Sequence, residues 1–176
     1  MEEVRGSSPL SSTNFLPEPK PSPYTLNMSV ILFLASKSDT EFIKPAEDLL
    51  KEFGVKTETV MASAHKVPEK VMAIVEDLNK RTDPTVVITV VGMSNGLGGV
   101  VAGSCVHPVI NCPPYKDLTE YLTDIHSNLR MPSDVPALTV LHPKNAALAA
   151  LRILAEGDAK LQKKVMERIK KVKAAY

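Results

Sequence analysis

From residue 29 onward the apolar positions of the chain alternate between two periods. Short runs rich in Val, Ile and Thr, at Ser29–Leu34, Lys56–Met61, Thr85–Val91, Pro108–Asn111 and Ala137–Leu141, have the length and residue types of strands. Between them lie amphipathic stretches of helical length near Glu41–Phe53, Pro68–Arg81, Leu97–Ser104, Asp117–Leu129 and Lys144–Glu156. The run TVVITVV is apolar on both faces, as a central strand covered by helices on each side must be. This alternation predicts an α/β fold, a three-layer αβα sandwich around a doubly wound parallel sheet.

Local punctuation sets the expected boundaries. Ser38 and Glu41 have the Ser-x-x-Glu spacing of a capping box, Gly54 suits the residue after a helix, and Pro68 suits a first helical position. Pro45 would remove a hydrogen bond from a helix begun at Asp39, so the regular helix is expected only from near Lys44. After Glu156, residues Leu161, Val165, Ile169 and Val172 mark one face of a further helix.

Composition divides the chain into three segments. Residues 1–27 are rich in Ser and Pro without a sustained period, and are expected to be a disordered extension, not a secretion or transit signal. Residues 28–157 form the expected catalytic-type domain, and residues 158–176 a basic amphipathic helix. The chain carries 21 Lys plus Arg and 20 Asp plus Glu, a net charge of +1. Residues 160–176 hold seven basic residues and one acid, so the remainder is net acidic. That segregation suggests a helix packed on the body or on a second subunit, with neither nucleic acid nor membrane as partner. No apolar run approaches the ~20 residues of a membrane span, and a soluble cytoplasmic protein is expected. Cys105 and Cys112 show no metal or disulfide spacing and read as small buried hydrophobes.

Candidate chemistry lies where three predicted strands end. Ala35-Ser36-Lys37-Ser38-Asp39-Thr40 offers hydroxyls and helix N-terminal N–H groups, which fit either a phosphate site or a simple helix cap. Ser63-Ala64-His65-Lys66 places an imidazole, able to carry a proton either way near neutral pH, beside a cation and a hydroxyl. A structural histidine is the alternative. Val91-Gly92-Met93-Ser94-Asn95-Gly96-Leu97-Gly98-Gly99 holds much of the chain's glycine. It lets a ligand approach the backbone, yet matches neither a Walker A loop nor a dinucleotide fingerprint. Ser94 and Asn95 are its candidate ligand-binding side chains.

Together the motifs SKSD, SAHK and GMSNGLG, with Arg130-Met131-Pro132-Ser133 and Lys144-Asn145-Ala146-Ala147, resemble the purine-biosynthetic aminoimidazole ribonucleotide carboxylase family across about residues 28–156. The resemblance agrees with a flavodoxin-like fold carrying an extra C-terminal helix, and implies a homo-octamer. It implies that Ser36, Ser38, Asp39 and Ser63 bind the ribose phosphate end of the substrate. Lys66, Gly92, Ser94 and the neighbouring Asn95 would frame the reacting end, with His65 and Lys66 as catalytic residues.

Within that family, Lys66 and the Ser-Asn-Gly-Leu-Gly loop look like the form that fixes carbon dioxide directly onto 5-aminoimidazole ribonucleotide without ATP. The alternatives are the mutase that acts on the N-carboxylated substrate, and a non-catalytic nucleotide-binding module. The chemistry requires no metal, nucleotide or flavin cofactor. The chain departs from the family in Ala35 for Gly, Met93 for Arg and Asp134 for Gly, and Met93 removes a cation from the substrate loop.

Overall fold

Six-residue runs with no polar face leave Ser29–Leu34 and Thr85–Val90 no stable place but the middle of a sheet, and both are buried along their whole length. The computed structural model describes residues 27–176; up to residue 26 the extension expected to be disordered lies outside them. The order is β1 (Ser29–Leu34), α1 (Asp39–Phe53), β2 (Lys56–Met61), α2 (Pro68–Asn79), β3 (Thr85–Val90), α3 (Gly96–Ser104), β4 (Val109–Asn111), α4 (Leu118–Leu129), β5 (Ala137–Thr139), α5 (Pro143–Ala155) and α6 (Ala159–Lys173). The five strands form one parallel sheet ordered β2-β1-β3-β4-β5, with Ser29 level with both Lys56 and Thr85. This is a flavodoxin-like strand order, and the doubly wound parallel sheet is the one that the alternation of elements predicted.

Side chains of successive strand residues point to opposite faces, so one sheet supports two cores. Val30, Leu32, Leu34, Val86, Ile88 and Val90 pack with α1, α5 and the first half of α6. Ile31, Phe33, Val87 and Val91 pack with α2 and α3 on the other face. On that second face Thr89 interrupts the apolar run, and its hydroxyl donates to Asn111 Oδ1 on β4 at 2.7 Å. β2 lies at the sheet edge with the half-exposed sequence KTETVM. Its Glu58 receives both guanidinium nitrogens of Arg81, at 3.0 and 2.7 Å, which ties the end of α2 to the edge strand.

α1 corrects two expectations. It begins at Asp39 and runs through Pro45. The bond lost there is the one to the carbonyl of Glu41, an exposed residue whose surroundings water can reach, while burial of Ile43, Ala46, Leu49 and Leu50 holds the opposite face. The Ser38–Glu41 capping box does not form, because Ser38 is already helical and makes no side-chain cap. Ser36 replaces it, its Oγ accepting the Ser38 N–H at 3.3 Å and pairing with Ser38 Oγ at 2.9 Å.

Other boundaries hold to within a few residues. Gly54 ends α1 in a left-handed conformation (φ 75°), and Pro68 opens α2. Cys112 is fully buried, its thiol pushed up to about 12 by desolvation, whereas Cys105 is only half-buried at the end of α3. On α6, Leu161 and Val165 enter the first core and Val172 stays exposed. Lys164 Nζ donates to the carbonyl of Phe53 at 2.8 Å, so the basic helix places a cation at the negative end of α1. Among the described residues no helix is long and apolar enough to cross a membrane.

Candidate active site

The strand order reverses at β1, which lies between β2 and β3. Ligands of open parallel sheets bind beyond the carboxyl ends of the strands at such a point. The three loops singled out by sequence leave the ends of β1, β2 and β3, and so share one edge of the sheet. Backbone bonds from Ala35 N–H to the Val90 carbonyl (2.9 Å) and from Ala62 N–H to the Leu34 carbonyl (3.1 Å) keep the strand ends in register up to the loops.

In the first loop Asp39 is buried, and its Oδ2 accepts the Ser36 N–H at 2.8 Å. Burial raises the carboxyl above the ordinary aspartate range, opposed by hydrogen bonds from the Ser36 backbone, the Ser38 side chain and the Ala35 backbone. Asp39 thus organises the turn from inside, while Ser36, Lys37 and Ser38 face solvent. In the second loop the Ser63 carbonyl accepts the N–H groups of Lys66 and Val67, at 3.2 and 2.9 Å, making a tight turn that leaves His65 and Lys66 exposed.

His65 reaches across the end of β1 to the third loop. A Cβ placed on Gly96 would lie 2.5 Å from His65 Nε2 and 2.8 Å from Cε1. The imidazole therefore rests on the first residue of α3, in space that exists only because residue 96 is glycine. Gly98 has a similar role below the loop, where a Cβ would overlap both Asn95 Oδ1 and Asn111 Oδ1. Asn95 is buried and caps α3 by accepting the Gly98 N–H at 2.9 Å. Its side chain supports the loop from beneath, and Ser94 is the exposed hydroxyl.

Met93 adopts a left-handed backbone (φ 59°), which costs a residue bearing a Cβ about 1–2 kcal/mol. Its side chain is 74% exposed, so the loop uses its backbone, and the cation absent at this position is absent from an outward-facing side chain. Asp134 is also left-handed (φ 63°). The glycine implied there by the resemblance and the aspartate found here serve one turn, aspartate being among the residues that enter this region most readily.

Sequence reasoning did not single out Asp124 and Ser127, on α4. Asp124 Oδ2 accepts the Met93 N–H at 2.9 Å, and Ser127 Oγ accepts the Asn95 N–H at 3.1 Å. A cavity of about 530 Å³ lies elsewhere, between α1 and α6; charges on its wall pair with one another, as in Arg168–Glu52 and Lys44–Asp48. It contains none of the candidate groups.

The comparisons with known proteins agree with the fold. The family model for AIR carboxylase matches residues 29–175. The chain is 45% identical over 126 residues to the "Probable multifunctional protein ADE2" of Caenorhabditis elegans, covering 72% of this chain but only 29% of that longer protein. It is 40% identical over 140 residues to the phosphoribosylaminoimidazole carboxylase of Archaeoglobus fulgidus, covering 80% of this chain and 76% of the archaeal one. The crystal structure of Treponema denticola PurE superposes with a TM-score of 0.81 at 34% identity, covering 84% of this chain and 93% of that one. The chain belongs to the AIR carboxylase family.

Proposed function

We propose that the chain carboxylates 5-aminoimidazole ribonucleotide with carbon dioxide, without ATP, to give the 4-carboxylate of purine biosynthesis, and that it does so in the cytoplasm. The observation that carries this reading is the seating of His65 on Gly96, which joins the histidine loop to the glycine-rich loop. The substrate's imidazole ring is an electron-rich enamine. Its C4 forms the new bond to the carbon of carbon dioxide, whose two oxygens become a carboxylate. C4 is then tetrahedral and still carries its hydrogen. His65 takes that proton, the C–H electron pair returns to the ring, and aromaticity is restored.

The new carboxylate needs donors already in place. The exposed Lys66 ammonium, the Ser94 hydroxyl and the Gly92 or Ser94 backbone N–H supply them. Ser36, Ser38 and Ser63 offer hydroxyls to the ribose phosphate end, with Asp39 holding the first loop in shape. Carbon dioxide is small and uncharged, so its site must exclude bulk water. Lys66 and the Ser-Asn-Gly-Leu-Gly loop favour direct carboxylation over the mutase reaction. The test is conversion of 5-aminoimidazole ribonucleotide plus bicarbonate in the absence of ATP, followed by the appearance of the carboxylated product. Ribonucleotide binding without any product would refute the proposal.

The working form is a homo-oligomer, an octamer on the family resemblance. Supporting this, α4 leaves Leu118, Leu122 and Leu129 exposed, at 70%, 55% and 62%, at positions that share one face of the helix. A second copy of the chain is the proposed cover.

A further inference from the structure

The glycine-rich loop is not held in shape by its own sequence alone. Ser94 lies between two residues whose backbones are gripped from α4. On one side Met93, left-handed at φ 59°, donates its N–H to Asp124 Oδ2 at 2.9 Å. On the other, Asn95 donates its N–H to Ser127 Oγ at 3.1 Å. The Ser127 hydroxyl lies 2.8 Å from the Asp124 carbonyl and 3.3 Å from the Met93 carbonyl, so it closes the clamp from within. α4 is itself anchored independently of these contacts, by buried Ile125 and Asn128 and by the Thr139 hydroxyl, which donates to the Asn128 carbonyl at 3.3 Å. Removing the clamp therefore frees the loop without releasing the helix.

We propose that Asp124 and Ser127 are positioning residues for the carboxylation step, holding Met93 left-handed so that the hydroxyl of Ser94 and its own N–H face the reacting carbon. This rests on the reading of the site given above. The clamp touches the loop at the reacting end and makes no contact with the Ser36–Asp39 turn assigned to the phosphate end. Its loss should lower kcat and leave KM for the ribonucleotide nearly unchanged. The carboxylate acts here as an acceptor of one N–H, and an amide oxygen can do the same.

The experiment compares D124A, D124N, S127A, M93G and M93G/D124A in the full chain, with ATP-free turnover and amide hydrogen exchange read on each. D124A should lose at least tenfold in kcat with KM within threefold, and D124N should recover most of that loss. Glycine enters the left-handed region without help. M93G/D124A should therefore perform within threefold of M93G. Exchange at the Met93 amide should quicken at least tenfold in D124A, and at the Asn95 amide in S127A, with exchange in α2 unchanged. Wild-type kcat in D124A, or a double variant as impaired as D124A alone, would overturn the proposal. Unchanged exchange would overturn the clamp itself, whereas quickened exchange in a chain whose wild type has no turnover would refute the reading of the site.

Discussion

At the scale of single residues, the arrangement of the site depends on what two glycines omit. Gly96 has an ordinary backbone, with no positive φ, so the chain conformation there admits alanine, and at the first residue of α3 the exchange changes helix stability little. Its methyl group would nevertheless occupy the place of the His65 ring. G96A is therefore expected to unfold near the wild-type temperature while losing at least tenfold in turnover, measured by thermal unfolding and initial rates on one preparation. A variant with full activity would show that His65 does not work from this seat. Ser36, Ser38, Asp39, Ser63, His65, Lys66, Gly92, Ser94 and Asn95 were legible as candidates because their loops follow three predicted strands and their motifs resemble the family's. Asp124 and Ser127 were not, because they act on backbone N–H groups 31 and 32 residues away, and a bond to a main-chain amide leaves no mark on the sequence of its partner.

At the scale of elements, strands were read more securely than helix ends. β1 and β3 are apolar on both faces, and that pattern fits only a buried strand, whereas the start of α1 depended on which of several hydroxyls would cap it. Ser36 prevailed because Asp39 draws its N–H inward and turns its hydroxyl toward Ser38. The edge of the sheet relies on a charge pair that no periodicity reveals. Arg81, and secondarily Lys56, hold the Glu58 carboxyl down at about 2 against an ordinary 4.5. A carboxyl depressed by folding adds stability above its unfolded pKa and loses it as pH falls through the folded one. R81Q should therefore cost about 1 kcal/mol at pH 7, solvent screening of a partly exposed pair keeping the figure small. The difference from wild type should shrink between pH 4.5 and 2. Denaturant unfolding across that range checks it, and a pH-independent difference would assign the loss to packing of the arginine stem.

At the scale of the whole molecule, the near-neutral charge hides a division of labour. α6 is basic, buries Leu161 and Val165 in the chain's own core, and sets Lys164 and Arg168 against the end of α1. Three exposed leucines, Leu118, Leu122 and Leu129, lie on α4, the helix that also grips the glycine-rich loop, and the proposed second copy would cover them. L118D/L122D should lower the mass in solution while keeping the helical spectrum, and light scattering at one concentration decides it; an unchanged mass would place the contact elsewhere. The doubly wound parallel sheet was legible from the alternation of elements, whereas the order of its strands is given by the structure. The burden on α4 was not legible, because its exposed leucines repeat at the spacing of any amphipathic helix.

The central claim is that three loops converge on His65 to add carbon dioxide directly to the ribonucleotide. The most direct test measures initial rates without ATP on two substrates, the unmodified ribonucleotide with bicarbonate, and the N-carboxylated ribonucleotide in carbon dioxide-depleted buffer. Product is expected from the first and not from the second. Product from the second alone would contradict the account.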